Sequence, residues 1–179
     1  MLRLLQRFTL AIVIIGAIVG SVYAVGQTYQ ASAPIGEQAQ IDTLVVHKER
    51  REMQAYYQGK LVKTYMIALG FTPQGHKQFE GDGKTPEGWY TINDRNPHSG
   101  YHKNLGVSYP NAADRAYAAE QGKSAGGDIK IHGLPNRMLN MGTLHRLFDW
   151  TNGCIAVTNE EMDELYAAVI PNAKIHIQP

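Results

Sequence analysis

The 179-residue chain contains one cysteine, Cys154, so no intramolecular disulfide can form and the fold must rest on its core. Neither sign of charge is in surplus. Seventeen Lys and Arg oppose sixteen Asp and Glu, for a formal net charge of +1. That balance lacks the basic footprint of a nucleic-acid-binding domain, and no nucleic acid is expected as a partner. No internal repeat or low-complexity tract appears. A metal-binding pattern is missing too: His98 and His102 share "HSGYH", but Ser99 and Gly100 break the helix that their spacing would need. "GDGKT" (81–85) fails as a phosphate-binding loop, because Gln78 stands where that motif requires glycine and Pro86 interrupts the helix that should follow.

One long apolar run is present, at the N-terminus. Arg3 and Arg7 precede the uncharged stretch "FTLAIVIIGAIVGSVYAVG". Residues 1–25 therefore read as a secretory signal, with Val22-Tyr23-Ala24 as a small-residue cleavage site, or as an uncleaved signal anchor. Both readings place the rest outside the cytoplasm, in the periplasm or cell envelope, with membrane contact only through this segment. Residues 26–40, "GQTYQASAPIGEQAQ", are polar and aperiodic, as in a linker. A single folded domain is expected over 41–179.

That domain reads as mainly β. Strands are expected near 43–47, 51–57 and 61–69, with Gln58-Gly59 turning the second into the third, then near 88–93, 129–133 and 173–177. Helical spacing appears at 111–122 and again at 162–170, where Asn159, Glu160 and Glu161 suit a helix start. Residues 94–128 otherwise look long and irregular. Such a segment is expected to form a mobile wall of a substrate cleft, with Tyr101, His102 and Tyr109 facing it.

The lone thiol needs a base to become a nucleophile, since the thiolate is the reactive form. Of seven histidines, His132 stands out: it ends the apolar strand "IKIHG" and precedes Gly133. His145, nine residues before the cysteine, is the local competitor. Each residue alone has an ordinary structural explanation, a buried thiol or a satisfied core histidine.

"IKIHG", followed by "TNGCIAVTNEEMDELYAAV" and "AKIHI", resembles the YkuD family of L,D-transpeptidases, which crosslink bacterial peptidoglycan. The upstream stretches "ALGFTPQGHKQFEGDGKTPEGWYTI" and "YHKNLGVSYPN" are similar to the same family, so the likeness covers roughly residues 41–178. The resemblance implies a mainly β fold, a sandwich or mixed sheets with one or two short helices. It also implies Cys154 as nucleophile, His132 as base, and Thr151, Gly153 and Gly133 as supporting motif positions. Backbone N–H groups at the Gly153–Cys154 turn would hold an oxyanion. The implied substrate is a peptidoglycan stem tetrapeptide, attacked at the L-centre of its diamino acid with loss of D-alanine. No metal or organic cofactor is implied. The acyl group would pass to an amine on another stem, or to a protein joined to murein.

One position departs from the family pattern. Relatives often carry arginine two residues after the cysteine, and here that residue is Ala156. Lys103, Arg137 or Arg146 could supply the missing charge, and Arg146 is a candidate substrate contact. Without such a cation, water becomes a competing acceptor, which would make the protein a murein peptide hydrolase. A non-catalytic cell-wall-binding domain with a structural cysteine is the alternative of a different class.

Overall fold

Apolar alternation organises the first strands. The structure, a computed structural model, describes residues 33–137 and 141–179; the expected signal or anchor segment and the first part of the expected linker, through residue 32, lie outside the described residues. Strand β1 (Ile41–His47) buries Ile41, Leu44 and Val46, and β2 (Glu52–Tyr57) buries Met53 and Ala55. Strand β3 (Lys60–Met66) follows a two-residue turn in which Gln58 and Gly59 both have positive φ, 50° and 74°. That is the turn whose twist suits a two-residue hairpin.

The remaining strands are β4 (Gly88–Ser99), β5 (His102–Val107), β6 (Lys130–His132), β7 (Ile155–Ala156) and β8 (Val169–Gln178). Together they form one eight-stranded sheet, ordered β3-β2-β1-β8-β4-β5-β6-β7. The β1–β8 and β6–β7 pairs are parallel, and the others are antiparallel. The long β4 is the pivot. Its first residues pair with β8 (Gly88↔Ile177 to Thr91↔Lys174), and its remainder pairs with β5.

The sheet curls until its edges meet. Beyond β3, Ala68 and Ala156 exchange backbone hydrogen bonds (3.0 and 2.8 Å), and Thr151 N donates to Leu69 O (3.1 Å). The chain after one edge strand therefore carries the ladder on to the other edge, which leaves few backbone groups unpaired. Inside lie Tyr65, Leu69, Leu105, Ile131, Ile155, Met162, Leu165 and Ile175, all fully buried.

Two α-helices occur among the described residues: α1 (Ala112–Glu120) and α2 (Asn159–Ala168). Each opens on a capping box, Asn111 with Asp114 and Thr158 with Glu161. Thr158 explains why α2 begins earlier than its apolar spacing alone indicates. Neither helix is long and apolar enough to cross a membrane.

The expectation of an irregular stretch over 94–128 is corrected here. β4 continues to Ser99, β5 returns from His102, and α1 follows. Pro97 lies within the strand. It is tolerated because β8 has already left that end of β4, and the β4–β5 register shifts between Asn96 and Ser99.

Candidate active site

The segment before the cysteine is a tight turn held by a side chain. The Thr151 hydroxyl donates to Cys154 O (2.8 Å) and accepts from Gly153 N (3.1 Å), so one residue ties both ends of Thr-Asn-Gly-Cys. Gly153 has φ +122°, and a Cβ there would stand 2.5 Å from Lys84 O. Glycine is thus required twice over, by conformation and by space. Gly70 packs on the same spot: its own Cβ would lie 2.1 Å from Gly83 O and 3.0 Å from Gly153 Cα. The 81–85 loop rejected as a phosphate site therefore serves as a wall for this turn. Asp82 shapes that loop by accepting from the backbone N–H groups of Gln78, Phe79 and Lys84.

His132 is placed by sheet register. Ile131 pairs with Ile155 and His132 with Ala156, so Cys154 lies level with Lys130, one same-face step from His132 on the neighbouring strand. Cys154 and His132 line one cleft of about 380 Å³. Tyr101 and Trp150 clasp the imidazole, with ring centroids 4.6 and 5.7 Å away. His132 Nδ1 lies 2.7 Å from Gly133 O. A carbonyl only accepts, so Nδ1 carries the proton and Nε2 keeps its lone pair. Gly133 is itself pressed into place, because a Cβ there would meet Asn159 Oδ1 at 2.6 Å. That same oxygen accepts from Leu134 N (2.8 Å), fastening the His-Gly loop to the start of α2.

Both side chains rest uncharged. Burial pushes His132 down to about 4, against a smaller upward pull from its bond to Gly133. Burial likewise pushes the half-buried Cys154 thiol up; the Lys130 backbone and ammonium oppose this without cancelling it. The thiol donates weakly to Asp128 O at 3.5 Å. A neutral thiol that shares a cleft with a neutral imidazole can react, once the two meet, by handing over its proton as the new bond forms.

Tyr101 joins Cys154, His132 and Thr151 in the wall of the cleft, while Gly153 and Gly133 adjoin the cysteine and histidine in the chain without lining it. Three other candidates are elsewhere. Tyr109 is buried, with its hydroxyl donating to Ala125 O and its ring edge-on to Tyr90, so it faces the core and not the cleft. His102 turns away at φ 65° and pairs with Asp163 on α2 (2.7 Å). Arg146 is held in a buried ion pair with Glu161, where it supports the cap of α2, and its Nε has no hydrogen-bond partner. Each was misplaced because its partner, Ala125, Asp163 or Glu161, is distant in sequence.

Other residues in the cleft escaped notice. Trp150, Asn104 and Lys130 all line it. Asn104 is the cross-strand partner of His132, and its buried Oδ1 has no hydrogen-bond partner. His145, the competing base, is buried behind Trp150 and is absent from the cleft wall. The alternation of β6 could have flagged Lys130, two residues before His132 on the same face.

A curled mainly β domain with a cysteine and a histidine in one cleft has counterparts among known proteins. A family model described as the YkuD L,D-transpeptidase catalytic domain matches residues 41–177. YafK of Escherichia coli K12, provisionally named an L,D-transpeptidase, is 31% identical over 148 residues, covering 75% of this chain and 52% of YafK. Among solved structures, the helical cell shape determining protein Pgp2 of Campylobacter jejuni superposes with a TM-score of 0.57 at 26% identity, over 81% of this chain and 50% of Pgp2. Bd1075 of Bdellovibrio bacteriovorus shares the fold at a TM-score of 0.54 and 23% identity, over 81% of this chain and 51% of its own. The chain belongs to the YkuD family of L,D-transpeptidase catalytic domains. It spans about half the length of the curated relatives it matches.

Proposed function

We propose that the protein is a cysteine acyltransferase of the cell envelope that acts on peptidoglycan stem tetrapeptides, with Cys154 as nucleophile and His132 as base. One observation carries this reading: Nδ1 of His132 is committed to Gly133 O, so Nε2 is the basic atom of a ring that shares a cleft with the thiol. The Cys154 sulfur adds to the carbonyl carbon at the L-centre of the diamino acid as its proton passes to Nε2. The resulting imidazolium is supported through Nδ1–H by the Gly133 carbonyl. Gly153 N–H is already engaged by Thr151, which leaves the Cys154 N–H for the oxyanion. Collapse breaks the carbon–nitrogen bond, and His132 returns the proton to the departing D-alanine amine. The thioester then passes its acyl group to an amine of a second stem, restoring the thiol.

Water is a second acceptor, and a specific observation favours it. Ala156 brings no charge, and neither Lys103 nor Arg146 lines the cleft, each being paired with an acidic residue of α2. The test is incubation with purified tetrapeptide muropeptides, with and without excess amine acceptor, followed by mass spectrometry. Wild type should release D-alanine and carry a thioester at Cys154; Cys154→Ala should do neither. Near-normal release of D-alanine by Cys154→Ala would overturn the covalent mechanism, and hydrolysis alone at saturating amine would replace the transpeptidase with a hydrolase.

A further inference from the structure

Resting on that functional reading, we propose that Lys130 is the specificity-determining cation of the cleft, holding a carboxylate of the donor stem peptide beside Cys154. Among the described residues, Lys130 is the one Lys or Arg in the cleft wall. The sheet fixes its place. Lys130 opens β6 opposite Gly106, two residues before His132 on the same face, and level with Cys154 across the parallel pairing. Neighbouring strands lie about 4.8 Å apart. A lysine stem starting there places its ammonium within reach of a group attached close to the carbon under attack.

The donor offers such groups. In a tetrapeptide cleaved before its last residue, the terminal carboxylate carbon lies only three covalent bonds from the scissile carbonyl carbon, about 4 Å away. A second carboxylate lies at the far end of a diaminopimelate-type side chain. The cation is available for either. Its present partner is Asp128 Oδ1 at 3.3 Å, and the Asp128 side chain is 90% exposed. An ion pair open to water on one side contributes little and is readily exchanged for a ligand carboxylate. Of the other cations considered, Arg137 does not line the cleft, and the remaining two are not free to do this. Lys103 is tied to Asp163 and lies over the Tyr166 ring, while Arg146 is sealed against Glu161. The cleft thus has a cation on the β6 side of the cysteine, where Ala156 provides none on the β7 side.

The test measures binding in the full chain with Cys154→Ala, so that the influence of Lys130 on the thiol does not enter. By calorimetry, a free-acid stem tetrapeptide is compared with the same peptide amidated at its terminal carboxylate, and with one amidated at the side-chain carboxylate. With Lys130 present, one of the two amidations should weaken binding about tenfold, as expected for loss of a charge-assisted contact, and that arm identifies which carboxylate is held. Adding Lys130→Met should weaken the free acid by the same factor and abolish the difference between acid and amide, whereas Lys130→Arg should keep it. An amidation penalty that persists in Lys130→Met would overturn the proposal, as would affinity for the free acid within twofold of the parent. Failure of the functional reading looks different: wild type would form no thioester, while carboxylate-dependent binding through Lys130 would still be measured.

Discussion

The two halves of the curled sheet are held together by different means. In the half formed by β3, β2, β1 and β8, strands of six to ten residues pair over ladders broken only by single register shifts, and alternate side chains such as Leu44, Met53 and Ile175 fill the core. In the half that carries the site, β6 has three residues and β7 only two. There the chain is tied by single side chains reaching backbone: Thr151 to Cys154 and Gly153, Asn159 to Leu134, Asp149 to Leu69. A ladder distributes its support over many equivalent bonds. The site half concentrates support in a few residues, because a sharp turn that presents a thiol cannot also be a regular strand. Substitutions of the same kind should therefore cost more there.

A pair of glycines measures the difference most strongly. Gly59 turns the β2–β3 hairpin at φ +74° with nothing within 4 Å of where a Cβ would stand. Gly59→Ala should cost about 1–2 kcal/mol, from the left-handed backbone alone. Gly153→Ala adds collision with Lys84 O to a comparable strain and should cost about 4 kcal/mol or more, with loss of turnover. Denaturant melts of the two variants make the comparison. Equal destabilisation would show that the turn is no more constrained than an open hairpin.

The same contrast decides what was legible in the sequence. The ladder half advertises itself through alternation and the Gln58-Gly59 turn, and its strands were placed to within a few residues. Cys154 and His132 could be singled out because the residue types and their family context are unusual. What stayed hidden depends on partners distant in sequence. Residues 94–99 were read as part of an irregular stretch, though they continue β4 beyond its pairing with β8 and pair with β5. Tyr109 looked like a cleft aromatic, though its hydroxyl is spent on Ala125 in the core. Lys130 passed unnoticed because only the β6–β7 register sets it level with Cys154.

Acid should weaken the site half first. Burial holds both His132 and His145 at about 4, against 6.5 for the unfolded chain. Between those values the unfolded chain binds protons that the folded protein excludes, so stability is full above about pH 6.5 and is lost as pH falls towards 4. Each histidine contributes up to about 3 kcal/mol to this loss. His145→Phe should remove its share of the acid sensitivity while leaving Nε2 of His132 untouched. For turnover, the neutral imidazole should persist well below pH 6, so kcat/KM should hold steady and fall only near pH 4. An acid limb at pH 6.5, followed across a full pH profile, would mean that His132 is not the desolvated base described here.

A smaller effect on stability than that of Gly153→Ala isolates a single side chain. Thr151→Val keeps the size and branching of the residue but removes both hydrogen bonds of its hydroxyl, to Cys154 O and from Gly153 N. A buried N–H left without a partner costs about 1–3 kcal/mol, and the partly exposed Cys154 carbonyl recovers some of its loss from water, so the net cost should be near 2 kcal/mol. That is modest beside Gly153→Ala, and the protein should stay folded. Turnover should suffer more than stability does. Once Gly153 N–H is released and the peptide can rotate, the Cys154 N–H no longer holds its direction, and a misdirected oxyanion donor typically costs about a hundredfold in rate. Thr151→Ser restores the hydroxyl and should recover both properties, since the missing methyl takes no part in either bond. Thermal melts and turnover on one muropeptide donor separate the two effects. Parallel loss of stability and rate, or failure of serine to rescue, would assign Thr151 to packing and remove the distinction between a half held by ladders and a half held by single side chains.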